Sequence, residues 1–413
     1  MSDSLSKLNK EQKEAVTHVD GPLLIVAGAG TGKTTVLIER LNDLIKNGHA
    51  KPEEVLITTF TEKAAKEMEE RADKLLPYGY VDLWINTFHC FCERVLREHC
   101  LDIGLPSDFK LITQTEQWML LRKNLDRLDL DYYKPLGNPT KFIHEIIRHF
   151  SRLKDENIPA REYLEYAEKL KLDTDSTDQE QELEIKRVNE LANTYHIYNQ
   201  LLLDESLLDF GDLICYTIKL FRERPNILNL YREKFKFIMV DEFQDTNWSQ
   251  YELIKMLVAP KNLPAQAGNL VVVGDDDQAI YKFRGASLSN IMQFKDDFPG
   301  AQEIVLSKNY RSGQNVLDAA YRFIAHNNPN RLDVKLGINK KLEAAQSEKG
   351  EVNHLHFHTE QEETEEVAKK IIELYKKEKE TGWADFAILV RANDTADKFV
   401  AELSRLGIPN QFI

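Results

Sequence analysis

The sequence predicts an α/β protein: two parallel-sheet domains, the first interrupted by a helical insertion. Three observations predict it. Short apolar runs at Leu23–Val26, Val55–Phe60, Phe237–Val240 and Leu270–Val273 have the length of strands buried on both faces. The first two lead into helical patterns, from Lys33 to about Lys46 and over Glu62–Leu75, and strand alternating with helix specifies a doubly wound sheet. Three of the runs end in reactive chemistry, and in such sheets ligands gather beyond the carboxyl ends of the strands.

The bulk numbers fit this organisation. A chain of 413 residues exceeds one ordinary core, so two or three domains are expected, and 42% apolar residues can fill them. Its four cysteines (Cys90, Cys92, Cys100, Cys215) are too few for a disulfide framework, which points to a reducing, cytoplasmic setting. Cys90-x-Cys92 with Cys100 lacks a fourth ligand at metal spacing and reads as packing or surface thiols. No run is long and apolar enough for a membrane span, and nothing reads as a signal peptide. The net charge of −14 argues against a basic nucleic-acid coat, but the acid gathers at Asp173–Glu184 and Glu360–Glu366. A groove lined with lysine and arginine is compatible with that distribution.

Between residues 92 and 205 the strand–helix rhythm stops. Amphipathic stretches such as Phe142–Leu153 and Glu180–Leu203 predict a helical insertion, so the first domain is read as residues 1–91 and 206–285. Arg122, Lys123, Arg148 and Arg152 in the insertion read as solvated helix faces, some of them directed at duplex nucleic acid. Residues 286–413 form a second α/β block, with strands at Glu303–Leu306, Val352–Phe357 and Phe386–Val390 and helices at Thr364–Lys377 and Asp394–Leu406. His354, His356 and His358 alternate along the expected strand and read as one half-exposed face rather than a metal site.

The first reactive turn is Ala27-Gly28-Ala29-Gly30-Thr31-Gly32-Lys33-Thr34. It follows a strand and opens a helix, the context in which small residues let backbone N–H groups close around a phosphate. In that reading Lys33 serves the β- and γ-phosphates of a nucleotide, and the Thr34 hydroxyl serves a magnesium ion. The second is Val240-Asp241-Glu242-Phe243-Gln244-Asp245-Thr246-Asn247, where Asp241 completes the magnesium site and Glu242 activates water. The third, Gly274-Asp275-Asp276-Asp277-Gln278, brings Gln278 towards the γ-phosphate. Tyr281 and Phe283 follow at once, with Lys282 and Arg284, as a stacking surface for single-stranded bases; such stacking contributes about 1–3 kcal/mol per base.

Together these segments resemble the UvrD/Rep/PcrA family of superfamily 1 DNA helicases, over nearly the whole chain and in the family's order. The resemblance implies two RecA-like domains of the P-loop NTPase type, the second represented by its first half. Leu8-Asn9-x-x-Gln12 is similar to the adenine-reading element, with Gln12 facing the base. Thr59-Phe60-Thr61-x-Lys63 and Thr87-Phe88-His89 resemble strand-gripping elements, which assigns DNA contact to Phe60, Thr61, Lys63, Thr87 and His89 beside Tyr281 and Phe283. Leu208–Leu213 is similar to the segment where the family's insertion returns. Asn309-Tyr310-Arg311-Ser312 resembles the opening of the second domain, with Tyr310 stacked on adenine and Arg311 as an arginine finger. The chain departs from the family at Thr35, where an arginine commonly follows the Lys-Thr pair. It ends at Ile413, before the family's later elements, so an N-terminal portion with slow turnover is expected.

The resemblance implies ATP and Mg2+ as cofactors, single-stranded DNA and single-strand/duplex junctions as partners, and 3′-to-5′ travel in repair or replication. A helicase–nuclease motor would read alike. A nucleotide-dependent switch that grips DNA without unwinding is the alternative from another class. A metabolic P-loop kinase is contradicted by Asp275–Ala286 and by the second α/β block.

Overall fold

The computed structural model describes residues 5–76, 82–173, 179–258, 268–280, 289–377 and 380–412. They divide into two compact units, Met1–Gly350 and Glu351–Ile413.

The first unit contains strands β1 (Leu23–Ala27), β2 (Val55–Thr59) and β3 (Trp84–Thr87), a short ladder of β4 (Lys110–Leu111) with β5 (Leu207–Leu208), then β6 (Phe237–Val240), β7 (Asn269–Gly274) and β8 (Gln302–Leu306). Six of these make one sheet in the order β3-β2-β6-β7-β1-β8, parallel at every pairing. Because side chains alternate along a strand, each strand feeds two cores. Leu23 and Ile25 of β1, Phe237 and Met239 of β6, and Val271 and Val273 of β7 pack on one face. Helices α1 (Lys10–Thr17), α2 (Lys33–Lys46) and α3 (Glu62–Leu75) cover that face. Leu24, Val26, Ile238, Val240, Leu270 and Val272 point to the opposite face. It is covered by α4 (Phe88–His99) and by helices that follow the insertion.

The insertion comprises α5 (Gln114–Lys123), α6 (Ile143–Asp155), α7 (Ala160–Asp173) and α8 (Gln179–Asp204). Its own core runs from Ile112 to Leu202 and centres on Phe150, Tyr195 and Tyr198. Cys92, Val95, Leu96 and Phe109, expected in the insertion, pack in the core of the sheet, because the apolar face of α4 continues that of β3. Arg122, Lys123, Arg148 and Arg152 are exposed, as solvated faces require. The chain returns through α9 (Phe210–Glu223), α10 (Pro225–Lys234), α11 (Trp248–Leu257) and α12 (Ser289–Asp297).

A second difference concerns residues 302–306. Glu303–Leu306 is expected in the second block, but β8 pairs in register with β1, Leu23 opposite Gln302 through Ala27 opposite Leu306. Ile304 and Leu306 are buried in the first sheet's core. The unit then closes with α13 (Gln314–Ile324), α14 (Leu332–Leu336) and a two-stranded parallel ladder of β9 (Lys308–Asn309) with β10 (Glu343–Ala344).

In the second unit, α15 (Glu360–Lys377) and α16 (Asn393–Arg405) enclose Ala368, Leu403 and Ile408, with Trp383 stacked 3.7 Å from Tyr375. The runs expected as strands at 352–357 and 386–390 join no ladder among the described residues. Apolar alternation alone does not make a strand; its backbone groups need a neighbouring strand to bond. His354, His356 and His358 are accordingly exposed. Cys92 and Cys100 are buried in the core and Cys90 is exposed, all as free thiols. Among the described residues no helix is long and apolar enough to cross a membrane.

If β8 is part of the first sheet, Ile304→Ala should destabilise residues 1–350 by about 2–5 kcal/mol, the usual cost of emptying a core site. Urea unfolding measures this, and an unchanged midpoint would contradict the placement.

Candidate functional site

The carboxyl ends of β1, β6 and β7 lie side by side, so three sequence-distant turns meet there. The turn after β1 requires glycine at two positions. Gly30 and Gly32 have φ of 75° and 88°, the left-handed region that other residues enter at a cost. A Cβ on Gly30 would also lie 2.7 Å from the Asn309 side chain. With the turn closed, α2 begins at Lys33, which is buried. Lys33 Nζ donates to Glu242 Oε2 at 2.6 Å and to Gln278 Oε1 at 3.3 Å. One ammonium thus joins the turns after β1, β6 and β7.

Each partner is itself held. Glu242 has φ of 48°, a left-handed conformation costing roughly 1–3 kcal/mol in a non-glycine residue. It is kept there by Lys33 and by Gln244 Nε2, which donates to the same carboxylate at 2.8 Å. Gln244 Oε1 accepts the Asp275 N–H at 3.1 Å, tying the second turn to the third. Gln278 Nε2 donates to Asp275 Oδ2 at 2.8 Å.

Asp241 is 4% exposed, and among the described residues its carboxylate accepts only the Glu242 N–H, at 3.0 Å. Burial and the charge of Glu242 push its carboxyl up to about 7, against the opposing pull of Lys33. Burial and Glu242 likewise raise Asp245 to about 6, and its Oδ1 has no hydrogen-bond partner. Buried carboxyl oxygens left this poorly compensated fit a hard divalent cation, which takes oxygen ligands. Thr34 is half-buried at the start of α2. It and Asp241 supply the donors that a magnesium ion would use.

The other residues predicted to contact a nucleotide surround the turn. The Gln12 side chain is already engaged: Nε2 donates to the Thr31 carbonyl at 2.9 Å and Oε1 accepts the Asn9 N–H at 3.1 Å. The amide predicted to face a base therefore braces the glycine-rich turn. Arg40 on α2 reinforces it, donating to the carbonyls of Ala15, Val16 and His18 at the end of α1. The Tyr310 N–H donates to Gly30 O at 2.8 Å and Asn309 Nδ2 to Ala29 O at 2.6 Å, while the Tyr310 ring is 41% exposed. Arg311 is exposed, and no ion pair engages its guanidinium among the described residues. Thr35 is exposed and Gly28 half-buried beneath Leu342.

The residues predicted to contact DNA are less uniform. Phe60 is half-buried just beyond β2 and Lys63 is exposed on α3. The hydroxyls of Thr61 and Thr87 cap α3 and α4, accepting the N–H of Ala64 at 3.1 Å and of Cys90 at 3.2 Å. Their structural role is thus plain. His89 lies edge-on to Phe210 at 5.9 Å, and burial lowers its pKa. Tyr281 and Phe283 fall outside the described residues.

Sequence reasoning missed the support beneath Gln278. Asp275, Asp276 and Asp277 come close enough together to suggest a metal. Lys340 Nζ instead lies among them, 3.0 Å from Asp275 and 2.7 Å from Asp277 and bonded to Asp276. Arg331 adds a bidentate pair to Asp277 at 2.8 and 2.7 Å. These buried cations stand 54 to 65 residues from their partners, where no local pattern could reveal them.

Residues 8–299 match the model of the UvrD/REP helicase N-terminal domain. The chain belongs to this helicase family. Residues 304–413 match the UvrD-like helicase C-terminal domain. Similar proteins include the ATP-dependent DNA helicase PcrA of Bacillus subtilis (strain 168), 38% identical over 405 residues, covering 98% of this chain and 50% of that protein. The protein of that name from Leuconostoc citreum is 34% identical over 409 residues, covering 98% and 50%. The chain spans about half the length of the curated relatives it matches. The UvrD/Rep membership agrees with the parallel sheet and with the three turns that meet at Lys33.

The state of Asp241 can be tested by pH. A carboxyl whose folded pKa is raised stabilises the fold below its unfolded value near 3.9 and loses that contribution as pH rises through about 7. Asp241→Asn should therefore be more stable than the parent at pH 8, on the order of a few kcal/mol, with the gain fading towards pH 4. Urea unfolding across this range checks it; a variant less stable at pH 8 would contradict the assigned shift.

Proposed function

We propose that this chain carries the ATP-driven motor of a 3′-to-5′ DNA translocase that separates strands at single-strand/duplex junctions during repair or replication. The observation that carries the reading is the bonding of Lys33 to both Glu242 and Gln278 at the carboxyl end of the sheet. Family membership and the names of the relatives support it.

In this reading the triphosphate of ATP takes over Lys33, whose charge Glu242 otherwise balances. The backbone of Gly28, Ala29, Gly30, Thr31 and Gly32 surrounds the β-phosphate. Glu242, released from Lys33, accepts a proton from the attacking water, and Gln278 senses the γ-phosphate. A magnesium ion held by Thr34 and Asp241 would neutralise charge on the phosphate oxygens. Arg311 approaches the γ-phosphate as an arginine finger, a contribution of about 10³–10⁵ in rate where such residues act. Tyr310 stacks on the adenine, beside Gln12 and Thr35. Phe60, Thr61, Lys63, Thr87, His89, Tyr281 and Phe283 track the single strand, so binding is sequence-blind and weakens with salt as phosphate contacts release counterions.

ATP hydrolysis by the chain, with and without single-stranded DNA and beside Lys33→Ala, tests the reading. Turnover should rise with DNA and be abolished in the variant, while the variant still binds single strands at low salt. Turnover that survives Lys33→Ala would refute the site. Turnover indifferent to DNA would favour a nucleotide-dependent switch.

A further inference from the structure

Lys154 and Asp155 are neighbours on α6 of the helical insertion, and both engage the first domain rather than the insertion alone. Lys154 is 2% exposed, with Nζ 2.6 Å from Asp209 and 2.8 Å from Asp212. Burial alone would lower its pKa, but the two carboxylates outweigh burial and keep it charged. Its stem fills the space where a Cβ on Gly211 would stand, 2.9 Å away, so α6 is seated directly on the start of α9. The Tyr198 hydroxyl donates to Asp209 at 2.9 Å and completes the seat.

Asp155 leads elsewhere. Its Oδ1 accepts from Asn247 Nδ2 at 2.7 Å. Asn247 caps α11, with Oδ1 accepting from the Gln250 N–H and the Ser249 hydroxyl, each at 2.9 Å. It is also the residue at which the catalytic turn ends. That turn is closed internally, the Asp245 N–H on the Glu242 carbonyl at 2.9 Å and the Thr246 hydroxyl on the Phe243 carbonyl at 2.7 Å. At its start the Asp241 N–H donates to the Thr58 carbonyl at 2.9 Å. At its end it meets α12 through Asn290, which donates to the Thr246 carbonyl at 2.9 Å, and the insertion through Asp155. Glu242 keeps its left-handed backbone between these anchors.

We infer that Asn247 and Asp155 are positioning residues: their hydrogen bond lets the seated insertion fix the turn that presents Glu242 to the attacking water. The inference rests on the ATPase reading above. Neither side chain belongs to the nucleotide-binding turn, so the contact governs turnover and not nucleotide affinity.

The decisive variants exchange donor and acceptor. Asn247→Asp retains a carboxylate able to cap α11, since aspartate and asparagine cap equally well, but sets it against Asp155. Burial raises the Asp155 carboxyl to about 7, so the rates are compared at pH 8.5, where it is ionised; turnover should then fall about tenfold with KM for ATP unchanged, as expected for losing a hydrogen bond to a charged group. Adding Asp155→Asn reverses the bond's direction and should restore most of the rate. Asp155→Ala, which leaves the cap intact, should show the same fall and serves if Asn247→Asp does not fold. Asn247→Asp or Asp155→Ala at the parental rate, a fall expressed in KM alone, or a double variant no faster than Asn247→Asp would each overturn the inference. Absence of Lys33-dependent turnover in the parent chain would instead remove the ATPase reading beneath it.

Discussion

The ammonium of Lys33, shared between Glu242 and Gln278, joins the turn after β1 to two turns more than two hundred residues further along the chain. Its position follows from the sheet. Because β1, β6 and β7 are parallel and adjacent, their carboxyl ends fall together, and Gly30 and Gly32 let the first turn close tightly enough to start α2 at Lys33. A buried lysine needs a compensating charge, and Glu242 supplies it at the expense of backbone strain. Remove Lys33 and the turn at Glu242 loses its main partner, leaving Asp241, Glu242 and Asp245 to repel one another.

Around that contact the protein builds braces at increasing distance. Gln244 bonds the second turn to the third, Gln12 and Arg40 hold α1 against the glycine-rich turn and α2, and Lys340 with Arg331 gathers three aspartates beneath Gln278. Asn309 and Tyr310 bond to the carbonyls of Ala29 and Gly30. Polar groups inside the first unit are thus mostly engaged. Among the described residues, buried atoms without a partner include Asp245 Oδ1 and the hydroxyls of Thr58 and Thr59, and Asp241 accepts only the Glu242 N–H; a divalent cation would compensate the two carboxylates.

What could be read from the sequence was what depends on neighbouring residues. The apolar runs within β1, β6 and β7, the helices α2 and α3, and the glycine-rich turn are local, and the structure has them where their residues predict. Pairing partners are not local. Residues 303–306 read as a strand whichever sheet receives them, and only register with β1 assigns them to the first. Val352–Phe357 and Phe386–Val390 read as strands from their composition, yet no ladder receives them among the described residues. The same holds for charge: Lys340 reads as a surface residue until the fold brings Asp275–Asp277 around it, and Lys154 until Asp209 and Asp212 close on it. Thr61 and Thr87 show the reverse, motif residues whose hydroxyls also have an ordinary task as helix caps.

Under the proposed function, Glu242 competes with a triphosphate for Lys33. Calorimetric titration of a slowly hydrolysed ATP analogue into the parent chain and Glu242→Gln measures that competition directly. With the charge on residue 242 removed, Lys33 is free to serve phosphate, and the variant should bind the analogue several-fold more tightly. Equal or weaker binding would show that the ion pair does not stand where the phosphates go.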